Sequence, residues 1–396
     1  MKHISIVLML SNLTRSYAFA SRLHQSALSI LYQRQNMALF SSAADNKPPS
    51  QFVTDDAGRK WRLCAGAAVL NSRNEILIGE RLGKPGSWQT PQGGVDGGDR
   101  SESVSDAAIR ELYEEVGIVH GKHVLLEKLI DGVATSIKAR YTTEGTGSWL
   151  ENEGFSGQEL NWVIFRCADS DLERDPSRVC NLTGLNGEKP EFTSVRWEQI
   201  DWVVDNVWEK KVLPYKILKE SCIPLMKRWE ERCGEMDLGG RWSRDSTRSV
   251  NVMEGLMSRG LTEKDAKDRS EEPYLQYWTQ NQENRQEWVV TTYDADGCTP
   301  RRELRYPIGE FEEEYDGVST IFGGTNGGVI KRCCFYLAEN DADDQIAHVT
   351  ISQTPRGREE SKRYIRNGDL VLKRTFVKDH SKGTDGVVST EVFVRC

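Results

Sequence analysis

The chain has 396 residues, a formal net charge of −8 at pH 7, and a composition 38% hydrophobic and 28% charged. That length predicts two domains behind a leader, and an acidic balance without a dense basic stripe argues against tight binding to long RNA. Nine cysteines are scattered without C-x2-C pairs or His partners at zinc-ligand spacing, which excludes a zinc ribbon or finger and predicts reduced thiols.

The first 44 residues contain no Asp or Glu yet carry Lys2, Arg15, Arg22 and Arg34 among frequent Ser, Leu and Ala. This is the composition of a targeting segment, and residues 1–50 are read as a leader. Ile4 to Leu10 is apolar but far too short to span a bilayer, so no membrane association is expected. Ala18-Phe19-Ala20 offers a small-residue cleavage step that resembles the junction of bipartite leaders in algae with secondary plastids. A plastid is the expected destination, with the mitochondrion as the alternative and a disordered cytosolic tail as the plain reading.

Residues 56–230 form the first expected domain, and its most informative stretch is Gly93-Gly94-Val95-Asp96-Gly97-Gly98 followed by a helix. Serines at 101, 103 and 105 offer N-caps, Val104, Ala108, Leu112 and Val116 form an apolar stripe, and Gly117 supplies a stop. On that helix Glu111, Glu114 and Glu115 share one face, where like charges repel unless a cation neutralises them. Arg110 lies one turn before Glu114 and can fix its rotamer. A solvated charged face is the plain alternative; the glycine loop before the helix favours a phosphate-and-metal site.

The run resembles the Nudix box, G-x5-E-x7-R-E-U-x-E-E-x-G-U with U aliphatic. The resemblance implies an α/β sandwich with a mixed sheet, Mg2+ (or Mn2+) held by Glu111, Glu114 and Glu115, and Arg110 orienting them. The loop carries three extra residues, so either Glu102 or Asp99 fills the first acidic position. Trp88-Gln89-Thr90-Pro91-Gln92-Gly93-Gly94, Gly157-Gln158 with Trp162, and Pro190-Glu191-Phe192 with Trp197 resemble the branch containing dinucleoside tetraphosphate (Ap4A) hydrolases and RNA 5′-pyrophosphohydrolases. By that resemblance the substrate is a nucleoside polyphosphate: Ap4A cut to ATP and AMP first, an RNA 5′ end or guanosine tetraphosphate as alternatives. A protein that senses nucleotides through an impaired Nudix domain is the reading of another class.

Arg81 and Lys84 would bind polyphosphate as fork and point charge, or serve as surface charge. Gln92, Gly93 and Gly94 would line the substrate loop. Tyr141 would stand near the phosphates or be a buried core hydroxyl, and Phe192 would stack a nucleobase or be a core aromatic. The branch has an extra acid before the P-E-F segment; Val179 falls there without a gap, and Asp171, Glu173 or Asp175 would serve if residues 169–178 are an insertion.

A linker is expected through Glu230 to Glu235, after a helix-like segment Val212 to Trp229. Beyond it, at 236–396, Glu287 to Tyr293, Val318 to Phe322, Val329 to Leu337, Ile346 to Ser352, Asp369 to Phe376 and Val387 to Val394 read as strands of an antiparallel barrel, behind a helical pair over Val252 to Lys267. The order resembles fatty-acid-binding-protein and lipocalin-like barrels, which implies a small apolar ligand or a filled scaffold. Arg374, in register with Leu370, Leu372 and Phe376, would meet a ligand carboxylate or pair within the fold. Cys333 and Cys334 should point to opposite faces of their strand.

Overall fold

The structure is a computed structural model and describes residues 49–98, 101–130, 138–283, 286–318, 326–339, 345–378 and 386–396. Residues 1–48 of the expected leader, Asp99, and 319–322 of the expected strand Val318 to Phe322 lie outside the described residues. Among the described residues no helix is long and apolar enough to cross a membrane.

The first sheet comprises β1 (Phe52–Thr54), β2 (Lys60–Leu70), β3 (Ile76–Arg81), β4 (Trp88–Gln89), β5 (Gln92–Gly94), β6 (Val124–Ile130), β7 (Arg140–Thr142), β8 (Gly157–Cys167) and β9 (Phe192–Glu198). Its central path runs β4-β3-β2-β8-β6, with β1 and β5 added to β2, β7 to β8 and β9 to β3. Strands β2 and β8 are parallel and the remaining pairs antiparallel, so the sheet is mixed. Both central strands are covered on two faces, which is why they read as near-continuous apolar runs. Ala65, Ala67 and Val69 of β2, with Val163 and Phe165 of β8, face the helix α1 (Val104–Val116) through Ala107, Ala108, Leu112 and Val116. Cys64, Ala68 and Leu70, with Leu160, Trp162 and Ile164, face the opposite way.

Between β7 and β8 lies the short helix α2 (Trp149–Asn152), and after β8 comes α3 (Ser170–Arg174). Helices α4 (Ile200–Asn206) and α5 (Val212–Glu235) cover the second face with Val203, Val204, Tyr215, Leu218 and Cys222. The expected linker at Glu230 to Glu235 is the last turn and a half of α5, so the polar composition there marks a solvated helix end. Trp229 is the reason the helix runs on: its buried ring is held by Nε1–H to Ser72 O at 3.1 Å and by the Arg166 guanidinium 4.5 Å from its centre.

A ten-stranded antiparallel sheet follows: β10 (Gly240–Arg244), β11 (Leu275–Gln280), β12 (Glu287–Tyr293), β13 (Pro300–Pro307), β14 (Gly309–Val318), β15 (Asn326–Glu339), β16 (Gln345–Thr354), β17 (Gly357–Arg366), β18 (Asp369–Lys378) and β19 (Val387–Arg395). Its order is β13-β12-β11-β10-β19-β18-β17-β16-β15-β14. The terminal strands β13 and β14 are consecutive in the chain and are bridged by Arg302, which donates to Tyr315 Oη and to Glu313. The result is a nearly closed barrel. Helices α6 (Val252–Ser258) and α7 (Glu263–Glu271) form the expected helical pair.

Trp242, Trp278, Trp288, Leu370, Leu372 and Phe393 form one buried apolar cluster in the barrel. Arg374 points to a carboxylate of the chain itself: it pairs with Glu391, and Glu359 lies 3.9 Å away. Of the two expected readings, this geometry corresponds to pairing within the fold, since an inward guanidinium is tolerable when neutralised and here its neutralising partners are internal. Cys333 packs outward and Cys334 inward.

His348 is fully buried with no hydrogen-bond partner at either ring nitrogen among the described residues, and the Tyr306 and Tyr336 rings and the Arg363 charge face it. Burial first, and then Arg363, push its pKa well below the ordinary value of 6.5. The folded state holds it neutral while the unfolded state protonates below about 6.5, so the unfolded chain binds more protons and stability falls as pH drops through that value. Urea unfolding from pH 8 to pH 5 is expected to show this loss, at most about 1.4 kcal/mol per pH unit from this group. His348→Leu should flatten that component; an unchanged slope would assign it elsewhere.

The two sheets share one core. Phe335, Leu337, Ala347, Val349 and Ile351, on the outer face of β15 and β16, belong to the same buried cluster as Leu172 of α3 and Phe192 and Val195 of the edge strand β9. Around that contact Arg358 pairs with Asp171 at 2.8 Å, and Ser170 Oγ donates to Glu360.

Candidate active site

Ser103 caps α1 by accepting from Asp106 N at 3.1 Å, and Gly117 ends it at φ 71°, a left-handed conformation that glycine adopts without strain. Further along the helix, Arg110 ties four groups together. Its Nε donates to Glu102 Oε1 at 2.9 Å, Nη2 to Glu102 Oε2 at 3.0 Å and to Gly94 O at 2.8 Å, and Nη1 to Glu111 Oε1 at 2.6 Å and Glu114 Oε2 at 2.9 Å. Glu102 therefore does the anchoring, and its Oε2 also accepts from Asp96 N at 3.0 Å, which pins the inserted loop.

Glu111, Glu114 and Glu115 are all buried. Burial raises the Glu111 carboxyl to about 7 against the pull of Arg110, and burial together with the Glu111 and Glu191 charges raises Glu115 well above the usual carboxylate range. Glu115 Oε2 accepts from Gln92 N at 3.0 Å, and Glu114 Oε1 from Asn186 Nδ2 at 3.3 Å. A Cβ at Gly93 would stand 2.0 Å from Glu111 Oε1, so glycine there makes room for the carboxylate beneath the loop. Hard oxygen donors, crowded and desolvated, suit Mg2+ or Mn2+. As they stand, no three such side chains among the described residues converge as a finished cation cage, because Arg110 holds two of them.

These groups line a cleft of about 1240 Å³ together with Arg81, Lys84, Gln92 and Gly94. Tyr141 also lines it, but its hydroxyl donates to Gln158 and the ring is buried beneath Lys211 and Trp208. Phe192 does not reach the cleft surface: it is 2% exposed, and its ring fills the space over Gly79, where a Cβ would stand 2.4 Å away. The expected base-stacking role of Phe192 is corrected to core packing.

The three acids expected from the 169–175 segment are elsewhere. Glu173 accepts from Ser72 N and Oγ in a buried corner, Asp171 pairs with Arg358 of the barrel, and Asp175 caps the turn at Ser177. The nearby acids are Glu188 and Glu191, both in the cleft wall; the Glu191 charge acts on Glu111 and Glu115, and the Glu188 charge on Glu114. Glu191 lies inside the Pro190-Glu191-Phe192 run itself, so the signal for a further acid sits in that motif and not in the segment before it.

Sequence reasoning also passes over Arg62, Lys211, Trp149 and Trp208. Lys211 is buried, donates to Gln89 Oε1 at 2.8 Å, and is held down to about 8 by burial and by Arg81. It reads in sequence as part of the surface-like run Glu209-Lys210-Lys211. The two tryptophans are half-exposed on the cleft wall, where no periodicity could have placed them.

A NUDIX domain model matches residues 60–218. An RNA pyrophosphohydrolase from Wolbachia sp. subsp. Drosophila simulans (strain wRi) is 32% identical over 168 residues, which are 42% of this chain and 93% of that protein. Nudix hydrolase 26, chloroplastic, from Arabidopsis thaliana is 32% identical over 159 residues, 39% of this chain and 66% of that protein. Among solved structures, the fluorescent protein UnaG matches with 17% identity and a TM-score of 0.29, covering 40% of this chain and 97% of that one. The barrel described above rests on its own strand pairing. With Arg110 clamping Glu102, Glu111 and Glu114 under a glycine loop, and a 32% identical bacterial relative matched over 93% of its length, the chain belongs to the Nudix hydrolase family.

Proposed function

We propose that this chain is a divalent-metal-dependent hydrolase that cuts diadenosine tetraphosphate asymmetrically to ATP and AMP. The observation that carries the reading is the cleft: at about 1240 Å³ it exceeds what a mononucleotide fills, and two half-exposed indoles, Trp149 and Trp208, line it together with the carboxylates. Besides Arg110, which the carboxylates occupy, the cationic groups in it are Arg62, Arg81, Lys84, Lys189 and Lys211, which suits a short polyphosphate better than a long nucleic acid.

Glu111, Glu114, Glu115 and Glu191 would hold the metal. When bound, Mg2+ or Mn2+ supplies charge neutralisation on the diphosphate bridge and an acidified water. Arg110 keeps the carboxylates in place, Glu114 or Glu191 accepts the proton of the attacking water, and Arg81 and Lys84 take the charge of the departing phosphate. Gly93 and Gly94 let the chain pass over Glu111 and Arg62 without a side chain in the way. Chelation with EDTA is expected to abolish turnover and to lower the melting temperature by a few degrees, because buried like charges lose their cation; thermal scans with and without Mg2+ check this.

A second reading, removal of pyrophosphate from triphosphate-ended RNA, is favoured by the bacterial relatives named RNA pyrophosphohydrolase. Guanosine tetraphosphate is a third substrate in the same chemistry. Ion-exchange analysis of products from Mg2+ incubations separates them: ATP plus AMP from diadenosine tetraphosphate supports the first reading, and turnover of RNA alone supports the second. No turnover with either Mg2+ or Mn2+ would make the site a nucleotide sensor. For the barrel, a filled scaffold is proposed over a lipid carrier, because tryptophans occupy its interior and Glu391 takes Arg374. A plastid location is proposed from the leader composition, and one plant relative is named chloroplastic.

The protein used should begin before Pro49. Pro49 O accepts from Gly97 N at 2.7 Å, and the Gln51 side chain donates to Asp96 O, Ser101 Oγ and Glu102 O, so this arm braces the inserted loop. A chain starting at Phe52 is expected to lose several-fold in kcat/KM relative to one starting at Asn46, read from the same product assay.

A further inference from the structure

Trp149 is 54% exposed, an unusual position for an indole, and it stands on the cleft wall rather than on an outer surface. One face is already occupied: the Arg62 guanidinium lies 5.2 Å from the ring centre. Arg62 is only 8% exposed, and no carboxylate pairs with it among the described residues. Its Nε donates to Ser50 Oγ at 2.9 Å and its Nη1 approaches Cys64 Sγ at 3.6 Å, neither of which neutralises it. Its Nη2 reaches the glycine loop, where a Cβ on Gly94 would stand 1.8 Å from it. A buried cation without a counter-charge is costly, and this one spans the distance between the loop that covers the metal carboxylates and an open aromatic face.

We infer that Arg62 and Trp149 form one nucleotide subsite, in which the guanidinium takes a phosphate of the polyphosphate chain and the free face of Trp149 stacks the nucleobase attached to it. The inference rests on the nucleoside polyphosphate reading above and deepens it by assigning the base-recognition element. Stacking on an aromatic platform is tolerant of base identity, so this subsite accepts any purine nucleotide and discriminates by the presence of a base. Held from below by Arg62, the indole is pre-oriented and gives up little freedom on binding.

The test separates base from phosphate. In a full chain carrying Glu114→Gln, so that the ligand survives, calorimetry with Mg2+ compares diadenosine tetraphosphate with inorganic tripolyphosphate. Trp149→Ala is expected to weaken the dinucleotide about tenfold or more and to leave tripolyphosphate within about twofold, with Trp149→Phe restoring most of the loss. Arg62→Gln should weaken both ligands. Equal dinucleotide binding with and without Trp149, or a parallel loss for tripolyphosphate, would overturn the assignment. Because the readout is binding, a chain that binds through Trp149 but turns nothing over would refute the hydrolase reading and keep the subsite.

Discussion

Glu114→Gln is expected to lower turnover of the preferred nucleoside polyphosphate by about 10²-fold or more while leaving the fold in place. The substitution removes one charge from the acidic floor and replaces an oxygen donor with an amide, yet keeps the shape. The amide would retain one carbonyl oxygen to accept from Arg110, whose other bonds to Glu102, Glu111 and Gly94 O do not involve this side chain. Helix α1 stays pinned through Leu112 and Val116. Circular dichroism and a melting temperature within a few degrees of the parent would accompany the lost activity. Turnover within about twofold of the parent would move the essential carboxylate to another position.

Val349→Asp is expected to have the largest effect on stability. Val349 is fully buried on the outward face of β16, inside the cluster shared by barrel and first sheet. An aspartate there would be an uncompensated charge in an apolar seam, at a cost of about 3–5 kcal/mol, added to about 1.5–3 kcal/mol for the lost valine burial. The seam should open before either sheet melts, so proteolysis near α5 and β10 should accelerate. Val388→Asp, on an exposed strand position, serves as the control and should change little. Equal resistance of the two variants would mean that the seam contributes no cohesion.

The carboxylate helix is legible in the sequence because its stripe, caps and carboxylate spacing are local, whereas the reach of Arg110 back to Glu102 and Gly94 O is not. The inferred subsite of Arg62 and Trp149 is not legible either, because its placement depends on segments far apart in sequence: Arg62 on β2 meets Trp149, which precedes β8, where β2 and β8 pair. The environment of Phe192 is hidden for the same reason, since what decides it is Gly79 on the neighbouring strand. In the barrel, β12, β15, β16, β18 and β19 announce themselves through β-branched and aromatic runs. Strands β13 and β14 do not, because Arg301, Arg302, Glu303 and Arg305 in one and Glu312, Glu313 and Glu314 in the other make a charged seam that looks like loop composition. Strand β16 is apolar at Ala347, Val349 and Ile351 and polar at His348, Thr350 and Ser352, the alternation of a strand with one face outward; here that outward face is buried under the first sheet.

The pairing of β10 with β19 joins the first and last strands of the barrel. During synthesis the ring stays open until residues Val387 to Arg395 have left the ribosome, since Trp242 to Arg244 pair on that side with β19. Until then the apolar outer face of β15 and β16 has no stable support, and the edge of the first sheet that it covers waits uncovered. Folding of the Nudix half is thus tied to the emergence of β19, a non-local closure that is slow and exposed to aggregation. A chain truncated by even its last strand would leave both halves with sticky surfaces and give the cell a target for quality control in place of a partial enzyme.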